Sequence, residues 1–296
     1  MKRLINRPEN VETENVHDIE VTKVTQSNSD SELGEAIGLQ LEVTLNKFLG
    51  ELAEDIGHHF LSKGIRKSKA GTQKKLLLYD KFGTEYNIDS VIADESMHPI
   101  ILIESKYIRY KKHNRDKGSW ICTAHPAIRR HYTSVRSSIA VLAGNWSLSS
   151  QAMMRSHDVN LLLIPFQSIC DLLMVYGIDF NWAEKDRATA MKCWKAWVKL
   201  NDQQKDSVGM GMVNLVKPEL EMLVMSILDD KTPREIERVT IELSSNLGEV
   251  RAFEFDSVED AIDFLNDKEL KAKFIETDSK TLLDLKPALE DADEFE

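Results

Sequence analysis

Pro99-Ile-Ile-Leu-Ile-Glu-Ser-Lys106 is the stretch from which the rest of this 296-residue chain is read. A run of branched apolar residues predicts a buried strand, and an acid and an amine close it. Side chains alternate across a strand, so Glu104 and Lys106 project from one face and Ser105 from the other. Packing does not explain such a pair, because burying an unpaired charge is costly. Just upstream, Glu85-Tyr-Asn-Ile-Asp-Ser-Val-Ile-Ala93 reads as a second strand carrying Asp89. With the two strands side by side, two carboxylates and one ammonium converge on one point. Hard oxygen ligands of this kind can hold a divalent cation, with the lysine beside the metal-bound water.

An Asp, a short spacer, and Glu-x-Lys at the end of a strand resemble the PD-(D/E)XK nuclease superfamily. Asp89 matches the aspartate, Glu104 the acidic position and Lys106 the lysine, while Ile88 departs from the proline that often precedes the aspartate. The resemblance implies a restriction-endonuclease-like α/β fold with an α-β-β-β-α-β core and a mixed central sheet. It also implies Mg2+ as cofactor, with Mn2+ able to substitute, held by Asp89 and Glu104. Members often add a glutamate from the N-terminal helix. Glu42, which follows Gly38 and borders the apolar stripe, is the choice here, with Glu35 its rival. The backbone carbonyl of Ser105 is a further ligand that the family suggests.

The elements around the motif fit that order. Leu33, Ile37, Leu41, Leu45, Leu49, Leu52, Ile56 and Phe60 recur every three or four residues and predict a helix over 31–60. Gly64 is its expected stop. Lys75 to Tyr79 predicts a strand before that of Asp89. A helix is expected from Pro126 to Ala143, with Ile128, Tyr132, Val135, Ile139 and Leu142 as its stripe. Val159-Asn-Leu-Leu-Leu-Ile-Pro165 predicts a buried strand parallel to its neighbour. Tyr132 is similar to a tyrosine of some exonuclease branches, but Ile128 stands where their glutamine would be.

The net charge of −11 is unevenly spread. Residues 41–150 hold 17 Lys and Arg against 11 Asp and Glu, whereas 201–296 hold 11 against 25. Positive charge therefore gathers around the motif, where a polyanion would lie. Arg66, Lys67, Lys69, Lys74 and Lys75 form one cluster. Arg109, Lys111, Lys112, Arg115 and Lys117 form a second, and Arg129, Arg130 and Arg136 follow. The second cluster and these three arginines are the candidate DNA contacts. Tyr107, Tyr110, His113 and Trp120 are interleaved among them, placed to stack or to pack.

Beyond residue 200 the reading is coarser. Trp182, Trp194 and Trp197 recur at helical spacing, and Val208 to Leu228 predicts an apolar helix. Residues 237–243 and 249–255 alternate like hairpin strands around Ser244-Ser-Asn-Leu-Gly248, and Ser257 opens a helix through Leu265. The expected domains are a flexible segment over 1–30, a nuclease domain over 31–200, a C-terminal helical and β-β-α extension over 201–285, and an acidic tail over 286–296. No apolar stretch approaches the ~20 residues of a membrane span. The N-terminus lacks a secretory core, and three widely spaced cysteines suit reduced thiols. A cytoplasmic protein without a membrane partner is expected. Cys122-x-x-His125 has no second pair to complete a zinc site.

The sequence thus predicts a Mg2+-dependent endonuclease acting on double-stranded DNA, most like a prokaryotic restriction or defence enzyme, paired as a homodimer through its C-terminal extension. A repair or recombination nuclease of the same fold, and a non-catalytic nucleic-acid-binding or assembly protein, stay open as alternatives.

Overall fold

The computed structural model describes residues 29–63, 76–110 and 114–271. Residues 1–28 of the segment expected to be flexible, the acidic tail, the basic cluster of Arg66 to Lys75, and Lys111, Lys112 and His113 lie outside them.

Eight helices and nine strands are described in the order α1 (Ser29–Asp55), β1 (His59–Leu61), β2 (Leu77–Tyr79), β3 (Glu85–Asn87), β4 (Ser90–Ala93), β5 (Pro99–Ile108), α2 (Asn114–His131), β6 (Ser137–Gly144), α3 (Leu148–Arg155), β7 (Val159–Pro165), α4 (Phe166–Met174), α5 (Arg187–Lys199), α6 (Asp202–Asn214), α7 (Lys217–Leu228), β8 (Val239–Ser244), β9 (Val250–Phe255) and α8 (Val258–Asn266). The central sheet has the order β1-β4-β5-β6-β7. Its first three strands are antiparallel and its last three parallel, so the chain is α/β with a mixed sheet.

One face of the sheet carries α1 and the helices α4 to α7, packed in a single core from Leu33 to Leu228. The expected boundary at residue 200 falls inside that core, because Val208, Met212, Val213, Leu220 and Val224 of α6 and α7 join the leucine stripe of α1. Gly209 permits this approach: a Cβ there would lie 2.2 Å from Thr44 Oγ1. The opposite face carries α2 and α3 over two smaller clusters, around Leu102 and around Leu142.

Several expected elements differ. The apolar helix of Val208 to Leu228 is divided into α6 and α7, and Trp182 lies ahead of α5, which carries Trp194 and Trp197. The helix of 31–60 ends at Asp55, and Phe60 belongs to β1. The strand of Asp89 is divided: β3 pairs with β2 in a separate hairpin, and β4 enters the central sheet. The helix expected over 126–143 is instead the last part of α2, a turn, and the buried strand β6. Ile139 and Leu142 lie on opposite faces of β6. Both its edges are bonded, to β5 and β7, so its backbone groups are satisfied as a strand. The hairpin β8–β9 and the helix opened by Ser257 form where the sequence places them, with Ser257 Oγ accepting from Asp260 N.

Candidate active site

β4 and β5 part company at the motif. Their pairing ends at Ser90 opposite Ile103, while β5 stays bonded to β6 through Ile108 and Gly144. One edge of residues 104–108 is therefore without β4, and Asp89, at the point where the chain leaves the β2–β3 hairpin, falls level with Glu104 across that opening. Residues directly opposite in an antiparallel pair share a face. Asp89, Glu104 and Lys106 accordingly meet. Lys106 Nζ lies 2.7 Å from Asp89 Oδ2 and forms an ion pair with Glu104 Oε2. Glu104 is fully buried, and the side chains of Asp89 and Lys106 keep about a fifth of their surface.

The electrostatics follow from two carboxylates sharing one ammonium. Burial pushes the Asp89 carboxyl up, the neighbouring Glu104 charge adds to this, and Lys106 offsets only part, leaving it at about 6. Burial also opposes charge on Glu104, yet the imidazole of His125 and the Lys106 ammonium together outweigh it and hold the group at about 2. For Lys106, burial favours loss of the proton, but Glu104 and Asp89 prevail and keep the ammonium above its usual range.

His125 is the residue that the sequence reading did not assign. It is fully buried on α2, and its Nε2 lies 3.7 Å from Glu104 Oε1. At that separation the two groups face each other just beyond hydrogen-bond reach. A signal existed: Gly118, Ile121, Ala124, His125 and Ile128 form the buried stripe of α2, and a histidine interrupts it. Cys122, its partner in the discarded zinc motif, faces the Met153 carbonyl instead.

The carboxylate expected from α1 does not join. Glu35 and Glu42 line a cleft of about 830 Å³ that also takes in Lys106, Tyr107 and Lys117. Yet among the described residues no group of three or more His, Cys, Asp or Glu is arranged to hold a metal ion. A three-carboxylate set of Asp89, Glu104 and Glu42 is therefore not assembled.

The basic residues divide. Arg109 is not on the surface: its guanidinium sits 3.6 Å from the Trp182 ring centroid and 4.5 Å from that of Phe180, and donates to the Trp182 carbonyl at 3.0 Å. Arg136 is committed to the end of α7, donating to the Ile227 carbonyl and to Asp230. Lys117 Nζ donates to the Tyr107 carbonyl at 2.7 Å. Burial, then the Lys106 charge, lowers its pKa. Arg115 and Arg130 are exposed and Arg129 half-buried. Among the described residues no helix is long and apolar enough to cross a membrane.

No family model matches this chain, and no curated protein matches it. Among solved structures it is similar to the crystal structure of a protein of unknown function, AF1548, at 8% identity over 61% of this chain and 99% of that one, with a TM-score of 0.29.

Proposed function

We propose that this chain is a Mg2+-dependent DNA endonuclease of the restriction-endonuclease-like kind, most like a prokaryotic restriction or defence enzyme. One observation carries the reading. Glu104 and Lys106, on β5, meet Asp89, in the bend just ahead of β4, where the β4–β5 pairing opens, with Lys106 Nζ against both carboxylates. The run α1, β1, β4, β5, α2, β6, with sheet neighbours in the order β1-β4-β5-β6, is an α-β-β-β-α-β order that supports it, though built from other elements than the sequence pattern picked out: the strand of 75–79 lies in the separate β2–β3 hairpin, and residues 159–165 form β7.

The residues present fit a magnesium ion by their chemistry. Mg2+ keeps most of its waters and takes one or two carboxylates, and two are here. The triad carries one net negative charge, and neither oxygen of Glu104 has a hydrogen-bond partner among the described residues. Bound there, the ion would lower the pKa of a water and polarise the scissile phosphate. Asp89 and Glu104 would hold it. Lys106, its ammonium kept protonated by the pair, would orient the water and offset charge developing on the phosphate. Arg115, Arg129 and Arg130 would hold the duplex backbone. The C-terminal hairpin, whose two strands leave open edges, would pair two copies so that both DNA strands are met.

The test is direct. Purified protein incubated with supercoiled plasmid is expected to cut it with Mg2+ or Mn2+ and not with EDTA. Uncut plasmid under all metals would leave the triad as a buried structural ion cluster.

A further inference from the structure

Glu104 and His125 are two fully buried polar side chains that face each other across 3.7 Å. Among the described residues neither ring nitrogen of His125, and neither oxygen of Glu104, has a hydrogen-bond partner; the Glu104 contact to Lys106 is an ion pair. Native structures satisfy nearly all such groups, so an orphaned pair asks for a reason.

The surroundings leave few alternatives. Ala140 stands beside Glu104 on β6, and its methyl offers no donor. On α2, Ile121, Ala124 and Ile128 flank His125 and are apolar. Lys106 engages Oε2, which leaves Oε1 to the imidazole. The last torsion of a glutamate is broad and roughly two-fold, so an ion pair at one oxygen does not fix the plane of the group. A second anchor does.

We infer that His125 is a positioning residue: its Nε2–H hydrogen-bonds Glu104 Oε1 and holds the carboxylate with Oε2 turned toward Lys106 and the proposed cation. The bond closes by a shift of less than 1 Å from the 3.7 Å separation. Its use toward a cation rests on the proposed function; the pairing itself does not. His125 touches no substrate in this role and acts only through Glu104. Leucine preserves much of the volume but cannot donate, whereas glutamine can.

The experiment uses the full chain, as wild type, His125→Leu and His125→Gln. Mg2+ is titrated calorimetrically and plasmid cleavage measured alongside. His125→Leu is expected to bind Mg2+ about 10- to 100-fold more weakly, the usual cost of losing a partner that orients a ligand. His125→Gln should stay within about threefold of wild type by keeping the donor. Mg2+ affinity unchanged in His125→Leu overturns the inference. Should that variant not fold, a loss above about tenfold in His125→Gln overturns it. The pairing is also read without metal, from the imidazole Nε2–H proton by 15N-edited NMR. It is expected to exchange slowly and to shift in Glu104→Gln. If it is absent or insensitive to that change, the pairing falls whatever Mg2+ does. If the pairing is present but wild type takes up no Mg2+, the proposed function falls and the positioning of Glu104 stands.

Discussion

The backbone N–H of Ser105 donates to Asp89 Oδ2 at 3.0 Å, so the strand that carries Glu104 and Lys106 also holds the carboxylate of its neighbour. The same oxygen takes the Lys106 ammonium. A main-chain donor cannot swing away, which makes the position of Asp89 a property of the β4–β5 pairing rather than of a side-chain rotamer. The cluster is built by the sheet.

That construction predicts separable effects of the three charges. Asp89→Ala, Glu104→Ala and Lys106→Ala should each reduce Mg2+-dependent cleavage by at least about 100-fold, the scale of losing one electrostatic partner of a transition state. Circular dichroism should show each variant folded, so that the loss is read at the site. Wild-type cleavage by any of them removes that residue from the site.

Protonation gives a second test, read in EDTA. Asp89 is raised from its ordinary 3.8 to about 6, by burial first and then by the charge of Glu104. An acid that binds its proton more tightly when folded contributes stability below its ordinary pKa and loses it as pH rises from about 4 to about 6. Glu104, held at about 2 against an ordinary 4.5, contributes stability above about 4.5 and loses it as pH falls toward 2. Asp89→Asn removes the first effect. In urea unfolding, the variant should therefore gain on wild type between pH 4 and pH 7. A gap that is constant or shrinks with pH would contradict the shift.

The basic residues should separate by role. Arg115→Gln with Arg130→Gln removes two exposed charges, and the slope of log K for DNA against log salt should flatten by up to about 2, at about 0.9 per phosphate contact. Arg109→Ala should leave that slope unchanged. It should instead destabilise the fold by at least about 2 kcal/mol, because a desolvated cation–π contact with Trp182 is lost. Equal salt slopes in all three proteins would remove Arg115 and Arg130 from the interface.

Self-association tests the C-terminal unit. The two-stranded β8–β9 sheet has open edges, and Ile262 and Leu265 of α8 are half-exposed. Light scattering should give twice the 33.8 kDa chain mass at micromolar concentration, and a chain ending at Thr232 should be monomeric. Ending there retains Asp230 and its ion pair with Arg136. A monomeric full chain, or a truncated dimer, would take the hairpin out of this role.

Some of this was legible in the residues and some was not. Period-two alternation put Glu104 and Lys106 on one face of β5, and the leucine stripe of α1 is buried from Leu33 to Leu52 as its spacing required. Ser137 to Gly144 was misread because a strand buried on both faces carries no alternation, and its apolar residues mimic a helical stripe. That error hid the start of α2, and with it the register that places His125 opposite Glu104.

What the sequence determined by itself is local: which residues alternate, which recur at helical spacing, and where charge gathers along the chain. Tertiary structure decided which of those residues meet. The β4–β5 register brought Asp89 level with Glu104, α2 delivered His125 to the carboxylate, and the aromatic pocket of Trp182 and Phe180 drew Arg109 out of solvent. The hydrogen bonds that fix the first and last of these, Ser105 to Asp89 and Arg109 to Trp182, span 16 and 73 residues of chain. Such contacts are fixed by the burial and hydrogen bonding of whole elements, which no spacing within one element encodes.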